Sequence, residues 1–452
     1  MNIDSLTREL EFALSEVPML DIHTHLVGGR LGARGLHDIL LYHMVVSDLY
    51  AAGCPSGGRL TQYPGWPDKK EAHARLKEAL PFLPSIHNTS SSWCVRILLA
   101  DLYDWHEPIT PDNWRRLDDR IRERAEDRSW HHSILDRLKI RRTGTEIARR
   151  ERGQDDDRLQ YALEWGFFTR CQWGEFDTAL YELERCWGRR PESPSPIGAG
   201  GRPKTGRVIR SLADVHAAVK HYVDAIPYAS ATAGPSVLAT ATHISTDIHY
   251  RNVSDAEMES ALARRPQAGV AERDTYAAYV NELFLAGLEK HGGEIVFQFS
   301  FAAEPLPFET GSRVNQQTIA EVAAMIARHP RLRFQCFLAS RHANQSLCTL
   351  ARELPNFSLA GCWWHNFFPD TIRQILSERL DMVPLNKQIG FFSDAYCVEW
   401  SYAKAIVLRK QLACVLAGRI AAGQYSRADA LAIARALLFE TPQTLLGMKP
   451  IS

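Results

Sequence analysis

Short apolar runs alternate with longer amphipathic segments along most of the chain, and this pattern predicts strands and helices in turn. Several of the runs are almost continuously apolar, as expected for parallel strands that are buried on both faces. The predicted strands are residues 18–25, 138–144, 165–171, 236–243, 294–300, 332–339, 357–364 and 388–394. Helical patterns lie between the later strands, at residues 255–262, 274–290, 317–328, 345–353 and 370–378. This alternation predicts an α/β fold of the (β/α)8 TIM-barrel type.

The longest interruption of this alternation lies between the first two predicted strands. It is rich in tryptophan and carries further helical patterns at residues 36–52, 68–80 and 114–126. We therefore expect residues 27–136 to form a large helical insertion that caps one end of the barrel. Residues 1–26 and 137–452 would then form the barrel itself.

Two later segments interrupt or extend the pattern. Residues 187–208 are dense in proline and glycine, which disfavour regular structure, so this segment is predicted to be a flexible surface loop. Residues 399–438 follow the last predicted strand and show helical patterns that we expect to complete the barrel.

Composition narrows the classes of partner. The 53 basic and 53 acidic side chains give zero formal net charge, which argues against a protein that binds nucleic acid by bulk electrostatics. The nine cysteines are an odd number without a Cys-x-x-Cys pair, and they indicate neither a disulfide framework nor a thiolate zinc site. The sequence shows no signal-peptide pattern and no apolar run of about 18 residues. We expect a cytoplasmic protein with no membrane and no nucleic-acid partner.

The first predicted strand ends in two histidines that are separated by one residue. In an extended strand, side chains two positions apart point to the same side, so His23 and His25 can bind one ion. The last predicted strand ends in Asp394, which taken alone could equally cap a helix. In a closed barrel the first and last strands are neighbours, and this carboxylate then joins the two histidines. We expect a site for one divalent ion, zinc first, with manganese, iron or cobalt as alternatives.

Three more strand ends carry polar or aromatic side chains. His243 ends the fourth predicted strand, where it could bind a metal, move a proton or be a buried structural histidine. Trp364 ends the seventh, and an indole face can stack on a sugar ring, although paired tryptophans are more often packing residues. Arg341 follows the sixth and could bind a carboxylate through two hydrogen bonds, or be an ordinary surface arginine.

A His-x-His on the first strand together with an Asp at the end of the eighth resembles the amidohydrolase superfamily. Within that superfamily the chain resembles the uronate isomerases, and the likeness runs in order through most of the sequence. The family segments D-x-H-x-H-L, L-Y-D-I-W, D-H, N-P-R, W-W-F-N and G-M-L-T-D correspond here to Asp21-Ile22-His23-Thr24-His25-Leu26, Leu36-His37-Asp38-Ile39, Thr242-His243, Ala339-Ser340-Arg341, Trp363-Trp364-His365-Asn366 and Gly390-Phe391-Phe392-Ser393-Asp394. The His-x-His alone is weak evidence, whereas the ordered series is specific.

The resemblance implies aldose–ketose isomerisation of a hexuronate or related sugar acid, of the glucuronate-to-fructuronate type. A proton moves between C1 and C2 through an enediol, and no redox cofactor is needed. His23, His25 and Asp394 would hold one divalent metal ion that orients the sugar oxygens. The catalytic candidates are then Asp394, His43 and His243, and His43 would assist ring opening.

The resemblance also assigns residues to the substrate, which would be a small sugar acid. Arg341 would hold its carboxylate, and Trp364 would pack on its ring. Three positions depart from the family pattern. Ser300 replaces a histidine on strand five, Tyr396 replaces an arginine suited to an anionic substrate, and Met44 replaces a tyrosine that tends to follow the histidine of the insertion. We include Ser300 and Tyr396 among the substrate-binding candidates, and these replacements leave the identity of the sugar acid open.

Other functions and assemblies remain open at this point. A metal-dependent hydrolase acting on an ester, lactone or amide is the main alternative, because the same superfamily is mostly hydrolytic. Ser300 weighs against a hydrolase. A single-metal hydrolase usually has a histidine at this position on strand five, which positions a group or binds the metal ion, and a serine does neither. A catalytically degraded relative that only binds ligand is a third alternative, which the intact ligand set argues against. A homo-oligomer is also open, because the tryptophan-rich insertion could supply a subunit interface.

Overall fold

Eight parallel strands form one sheet in which the spatial order follows the chain order. The structure is a computed structural model that describes residues 2–55, 69–146, 156–164, 176–187, 207–228, 237–244, 249–301, 316–363 and 367–447. The strands are β1 (Met19–Asp21), β2 (Ile140–Glu146), β3 (Leu159–Glu164), β4 (Val237–Ile244), β5 (Val296–Phe301), β6 (Arg333–Leu338), β7 (Phe357–Ala360) and β8 (Gln388–Ile389). The predicted α/β class and the sheet of eight parallel strands are confirmed.

Helices precede, separate and follow the strands. Those that precede β2 are α1 (Ile3–Ser15), α2 (Leu36–Leu40), α3 (His43–Ala51), α4 (Lys69–Ala79), α5 (Ser90–Tyr103), α6 (Trp114–Arg122) and α7 (Arg128–Arg137). Those between β3 and β8 are α8 (Phe176–Cys186), α9 (Leu212–Asp224), α10 (Asp255–Ala263), α11 (Val270–Lys290), α12 (Gln316–Arg328), α13 (Asn344–Glu353) and α14 (Pro369–Met382). Those after β8 are α15 (Val398–Ala421), α16 (Arg427–Arg435) and α17 (Thr441–Leu446).

The first helix shows how local sequence fixes these elements. The Asn2 side chain accepts a hydrogen bond from the backbone of Asp4 and so caps the amino end of α1. Leu6, Leu10 and Leu14 recur every four residues and are all buried, so they form one apolar stripe. This stripe lets α1 pack along α15, the long helix that follows β8.

The two faces of the sheet contribute to different clusters of side chains. On β5, Phe297, Phe299 and Phe301 belong to the large core formed with the helices. Val296, at an alternate position of the same strand, belongs to a smaller cluster on the other face. That face also contains polar side chains, and Gln298 donates a 2.8 Å hydrogen bond to Gln335 on β6. The sheet is therefore buried on both sides, as its nearly continuous apolar strands predict.

Backbone hydrogen bonds join the segments that follow the first and last strands. The amide of Asp394 donates to the carbonyl of His23 at 2.9 Å, and the amide of His25 donates to the carbonyl of Ala395 at 2.8 Å. In addition, the amide of Ser393 donates to the Asp21 carboxylate at 2.8 Å. These bonds bring together two chain segments that are more than 360 residues apart in sequence.

The third strand differs in position from the prediction. Residues 159–164 form β3, whereas the predicted segment 165–171 lies outside the described residues. The observed strand contains Gln160 and Glu164 and is less apolar than the aromatic run that follows it. Periodicity alone therefore favoured the later segment.

Two other predictions need revision or lie beyond what is described. Residues 36–52 were expected to form one helix, but α2 and α3 are separated at Leu41 and Tyr42. The predicted loop 187–208 lies mostly outside the described residues. Within the described part of the chain, no helix is long and apolar enough to cross a membrane.

Candidate metal centre

Two imidazoles and a carboxylate converge where β1 and β8 end. The potential ligand atoms of His23, His25 and Asp394 all lie within 4.8 Å of one another. The Nε2 atom of His23 is 3.4 Å from Oδ1 of Asp394, and the Nε2 atom of His25 is 3.1 Å from the same oxygen. The structure therefore brings together the three residues that the sequence predicted as ligands.

The extended segment after β1 places the two histidines. Thr24 lies between them, and both its amide and its hydroxyl donate to the carbonyl of Gly144, at 2.8 and 2.7 Å. Because Thr24 is anchored on β2, its neighbours on either side point away from that contact. The hydrogen bonds with residues 394 and 395 then fix the segment from its other edge.

Asp394 has an unusual backbone and a strongly stabilised negative charge. Its φ of 55° lies in the left-handed region, which is sparsely populated by residues other than glycine. Burial opposes ionisation of the side chain, but the hydrogen bonds and charges of His23 and His25 hold the pKa of Asp394 well below its usual range. The group is thus a carboxylate that accepts from both imidazoles.

The break between α2 and α3 places a third histidine beside this carboxylate. Nε2 of His43 lies 3.9 Å from Oδ2 of Asp394, and its ring packs on Tyr42 at a centroid distance of 4.2 Å. Burial is the main cause that lowers the pKa of His43 to about 3. His43 is therefore a neutral imidazole at physiological pH, and its N–H is a hydrogen-bond donor.

Glu146 is a further charged group that the sequence analysis missed. It ends β2, is buried, and its Oε1 lies 3.0 Å from Nδ1 of His25. His25 thus faces Asp394 with one ring nitrogen and Glu146 with the other. A carboxylate beside the second nitrogen of a ligating histidine is a common way to fix the tautomer and orientation of the ring. The signal in the sequence was a glutamate that ends a strand next to the His-x-His strand.

Tyr396 covers one side of the cluster. Its ring stacks on His25 at a centroid distance of 4.6 Å and an interplanar angle of 12°, and it meets His43 edge-on at 5.7 Å. Tyr396 therefore lies against two of the candidate site residues, and its role in substrate binding stays a prediction. It brings a neutral aromatic surface to this position.

Ser300 and His243 lie side by side on neighbouring strands. Ser300 on β5 pairs in register with His243 on β4 and with Phe337 on β6. Phe337 contacts the ring of His23 at 5.1 Å, and residues in register on parallel strands share a face of the sheet. The buried Ser300 side chain therefore faces the same side as the metal candidates. For His243 the structure describes the strand position alone.

The structure describes only one of the other two predicted substrate contacts. Arg341 begins a short 3-10 turn after β6, is exposed, and donates to the side chain of Gln374 on α14. Trp364 lies outside the described residues. Neither assignment is tested by the geometry, and both remain predictions.

Two buried residues behind the cluster were also missed by sequence reasoning. The Tyr42 hydroxyl donates to the backbone carbonyl of Asp394 at 2.8 Å, and Lys404 on α15 donates to that hydroxyl at 2.6 Å. Asp21, the last residue of β1, is also buried, and burial raises its pKa to about 7 although Ser393 and Ser401 donate to it. The helical pattern over residues 36–52 gave no sign of the break at Tyr42, and no pattern distinguished Lys404 from a surface lysine.

The donor set fits a divalent metal ion. Two imidazole nitrogens and one carboxylate oxygen are ligands that zinc and other first-row divalent ions accept. The two Nε2 atoms approach the same carboxylate oxygen, so all three donors can face one central point. Glu146 and His43 adjoin this set without belonging to it. The cluster is a candidate metal site, and the identity of an ion is not defined by these ligands.

Comparison with known proteins gives likenesses in structure alone. No family model matches the sequence, and no curated protein matches it. Glucuronate isomerase from Caulobacter crescentus superposes with a TM-score of 0.75 at 15% identity, covering 100% of this chain and 95% of its own. Uronate isomerase from Thermotoga maritima gives 0.74 at 11% identity, covering 98% of this chain and 97% of its own. Uronate isomerase from Bacillus halodurans gives 0.70 at 15% identity, covering 99% and 98%.

A candidate metal-dependent hydrolase from Lactobacillus casei is also similar. Its TM-score is 0.59 at 12% identity, with 97% of each chain covered. At these identities the likenesses establish a shared fold along nearly the whole chain. The higher scores belong to the isomerases.

Proposed function

We propose that this protein is a uronate isomerase-like enzyme that interconverts the aldose and ketose forms of a hexuronate or related sugar acid at one divalent metal ion. The observation that carries the proposal is the convergence of His23 and His25 on one oxygen of Asp394. It occurs in a chain that shares its fold with uronate and glucuronate isomerases over nearly its whole length.

The proposal includes a closed (β/α)8 barrel, with the site at the carboxyl ends of its strands. The hydrogen bonds between residues 23–25 and 394–395 support closure, because they link the ends of the first and last strands. Active sites of such barrels are formed at the carboxyl ends of the strands. His23, His25 and Asp394 all follow strand ends in this way.

The helical insertion would contribute directly to the site. Helices α2 to α7 lie between β1 and β2, and the break between α2 and α3 places Tyr42 and His43 beside Asp394. We therefore propose that residues 27–136 form a cap over the metal site.

The eight described cysteines are all free thiols, which supports a reducing, cytoplasmic compartment.

His23, His25 and Asp394 would hold the ion, which we expect to be zinc, with manganese, iron or cobalt as alternatives. When bound, a divalent ion would supply positive charge near the oxygens of the sugar, which would ease loss of a proton from the adjacent carbon. No redox cofactor is required, because isomerisation moves a proton between C1 and C2 and leaves the overall oxidation state unchanged.

The side chains around the proposed ligands would assist the reaction by hydrogen bonding and proton transfer. His43 is neutral and adjacent to Asp394, so its N–H could donate a hydrogen bond to an oxygen of the sugar and assist ring opening. Asp394 and His243 are the other candidates for moving the proton. Tyr396 and Ser300 would line the substrate, while Arg341 and Trp364 would contact the carboxylate and the ring of the sugar.

The test measures metal content and hydrogen exchange in the full-length protein. Purified wild type should contain about one divalent ion per chain, and in deuterated water it should exchange the C2 hydrogen of glucuronate or galacturonate. His23→Ala should lose both the ion and the exchange. His216→Ala is the matched control, because His216 pairs with Tyr279 on α11 and lies away from the cluster, so it should keep both.

Two results would contradict the proposal. Wild-type protein that binds no divalent ion would remove the metal site. Metal-loaded protein that leaves every hexuronate unexchanged, yet cleaves an ester, lactone or amide, would replace the isomerase with a hydrolase.

A further inference from the structure

The backbone on both sides of Asp394 is held by hydrogen bonds on every polar atom. In the preceding peptide plane, the Ser393 carbonyl accepts from Lys404 at 2.5 Å, and the Asp394 amide donates to His23. In the following plane, the Asp394 carbonyl accepts from the Tyr42 hydroxyl at 2.8 Å, and the Ala395 amide donates to the Ser393 hydroxyl at 3.3 Å. Two planes fixed in this way determine the φ and ψ of the residue between them.

The backbone conformation of Asp394 costs free energy, and its contacts have to offset that cost. With φ at 55°, Asp394 occupies a region that residues other than glycine enter only when the surroundings require it. Released from its contacts, the backbone would relax to an ordinary conformation and turn the carboxylate away from the two histidines. Some contact must therefore hold Asp394 where it is.

The direction of the hydrogen bonds from Lys404 through Tyr42 to Asp394 follows from which groups can donate. The Lys404 ammonium can only donate, so the Tyr42 hydroxyl accepts from it at 2.6 Å. The hydroxyl hydrogen is then available for the Asp394 carbonyl, which can only accept. A charged donor behind a hydroxyl also strengthens the bond that the hydroxyl makes.

Burial of the Lys404 ammonium group costs free energy, because the charge is removed from water. It is 1% exposed, and its ammonium lies over the rings of Tyr42 and Phe367, at 4.7 and 4.4 Å from their centroids. Burying an ammonium group requires compensating hydrogen bonds and charges. The Lys404 ammonium donates to the Tyr42 hydroxyl and to the Ser393 carbonyl, and both of these groups are bonded to the backbone around Asp394.

We propose that Tyr42 and Lys404 are positioning residues that clamp the two peptide planes around Asp394 and so hold its carboxylate in the metal-binding orientation. The inference rests on the metal site of the proposed function but requires no catalytic activity. Loss of the clamp lowers the fraction of metal-free protein in which Asp394 is competent, and the apparent dissociation constant rises by the same factor. For a backbone strain of the usual size, this factor is about ten.

The test measures Co²⁺ binding to metal-free, full-length protein by competition with a chelator, together with the visible spectrum of the loaded protein. Tyr42→Phe should weaken Co²⁺ binding about tenfold and alter the spectrum. Tyr276→Phe is the matched control, because this buried hydroxyl also donates to a backbone carbonyl, that of Ala179, far from the ligands in the chain. The control should bind Co²⁺ like wild type, while both variants lose similar unfolding free energy.

A double-variant cycle tests whether the two residues act as one unit. Lys404→Met should weaken Co²⁺ binding at least as much as Tyr42→Phe, and the loss in the double variant should be smaller than the product of the two single losses. Effects that multiply in the double variant would overturn the single clamp. If Lys404→Met does not fold, the Tyr42→Phe comparison decides by itself.

The possible failures are distinguishable. Wild-type protein that does not bind Co²⁺ would refute the metal site of the proposed function. Wild-type binding with an unchanged dissociation constant and spectrum in Tyr42→Phe would overturn the clamp and leave the metal site intact.

Discussion

Replacing Gly144 with alanine should destabilise the protein, because this glycine allows β2 to approach the segment that carries the histidines. A Cβ atom at this position would lie 2.3 Å from the carbonyl oxygen of Ile22, 2.7 Å from its carbonyl carbon and 3.3 Å from the amide nitrogen of His23. Both partners are backbone, so no side-chain rotation relieves the contact. The two segments must instead separate by roughly 1 Å to reach ordinary contact distances.

The expected magnitude follows from two opposing effects. Overpacking of a tightly packed site costs about 1–3 kcal/mol, and a backbone contact belongs near the upper end. Alanine also restricts the unfolded chain, which offsets about 0.4–1 kcal/mol. We expect Gly144→Ala to lose about 2 kcal/mol of unfolding free energy. Because the displaced backbone adjoins His23, metal affinity should fall as well.

The assay is urea unfolding of the metal-free protein, followed by circular dichroism. Gly418→Ala is the control, because Gly418 lies in α15 with no atom within 4 Å of an added Cβ. This second substitution should raise stability by up to about 1 kcal/mol. A Gly144→Ala variant as stable as Gly418→Ala would show that β1 and β2 are not packed as described, and would refute the reasoning.

Two further predictions concern buried charges. Glu146→Gln should weaken zinc binding about 10- to 100-fold in a chelator competition, because a neutral amide lacks the negative charge that the carboxylate places beside Nδ1 of His25. Unchanged affinity would show that Glu146 does not orient the His25 ring for metal binding. Burial alone would lower the pKa of His329, but the hydrogen bonds and charges of Glu282 and Glu289 outweigh it and raise the pKa. Stability from His329 should therefore be complete below about pH 6.5 and decline as pH rises through the folded-state pKa. The stability difference between wild type and His329→Gln should shrink from pH 6 to pH 9, and a growing difference would contradict the sign.

The sequence predicted the sheet well where strands are long and apolar. All six residues of β5 are buried, and such runs have few alternative explanations. The ends of β1 and β8 were harder to place, because residues 23–25 and 394–395 pair with each other outside the regular strands. The hydrophobic pattern contains no information about the pairing partner of a segment, and it therefore predicts both strands as extending to the candidate ligands.

Some residues of the candidate site could likewise be predicted from the sequence, and others could not. His23, His25 and Asp394 were predictable because a known ligand chemistry and a simple topology agree on them. Glu146 depends on the pairing of β2 with β1, which single-sequence periodicity does not contain. Tyr42 depends on a break in an apolar helical pattern, and this break is stabilised by tertiary contacts with Asp394 and by stacking on Trp400 at 4.4 Å.

The charge balance of the site sets an order for its ligands. Glu146 and Asp394 are buried acidic groups, burial raises the pKa of Asp21 to about 7, and His43 is neutral. Without an ion, Glu146 and Asp394 repel the carboxylate of a sugar acid through Coulombic interactions that burial strengthens, and a divalent ion would offset these charges. We therefore expect metal to bind before substrate. Glucuronate should bind metal-free protein at least tenfold more weakly than Zn²⁺-loaded protein in calorimetric titrations. Equal affinities would show that the carboxylate of the sugar is held at a distance where the charge of the metal centre is screened.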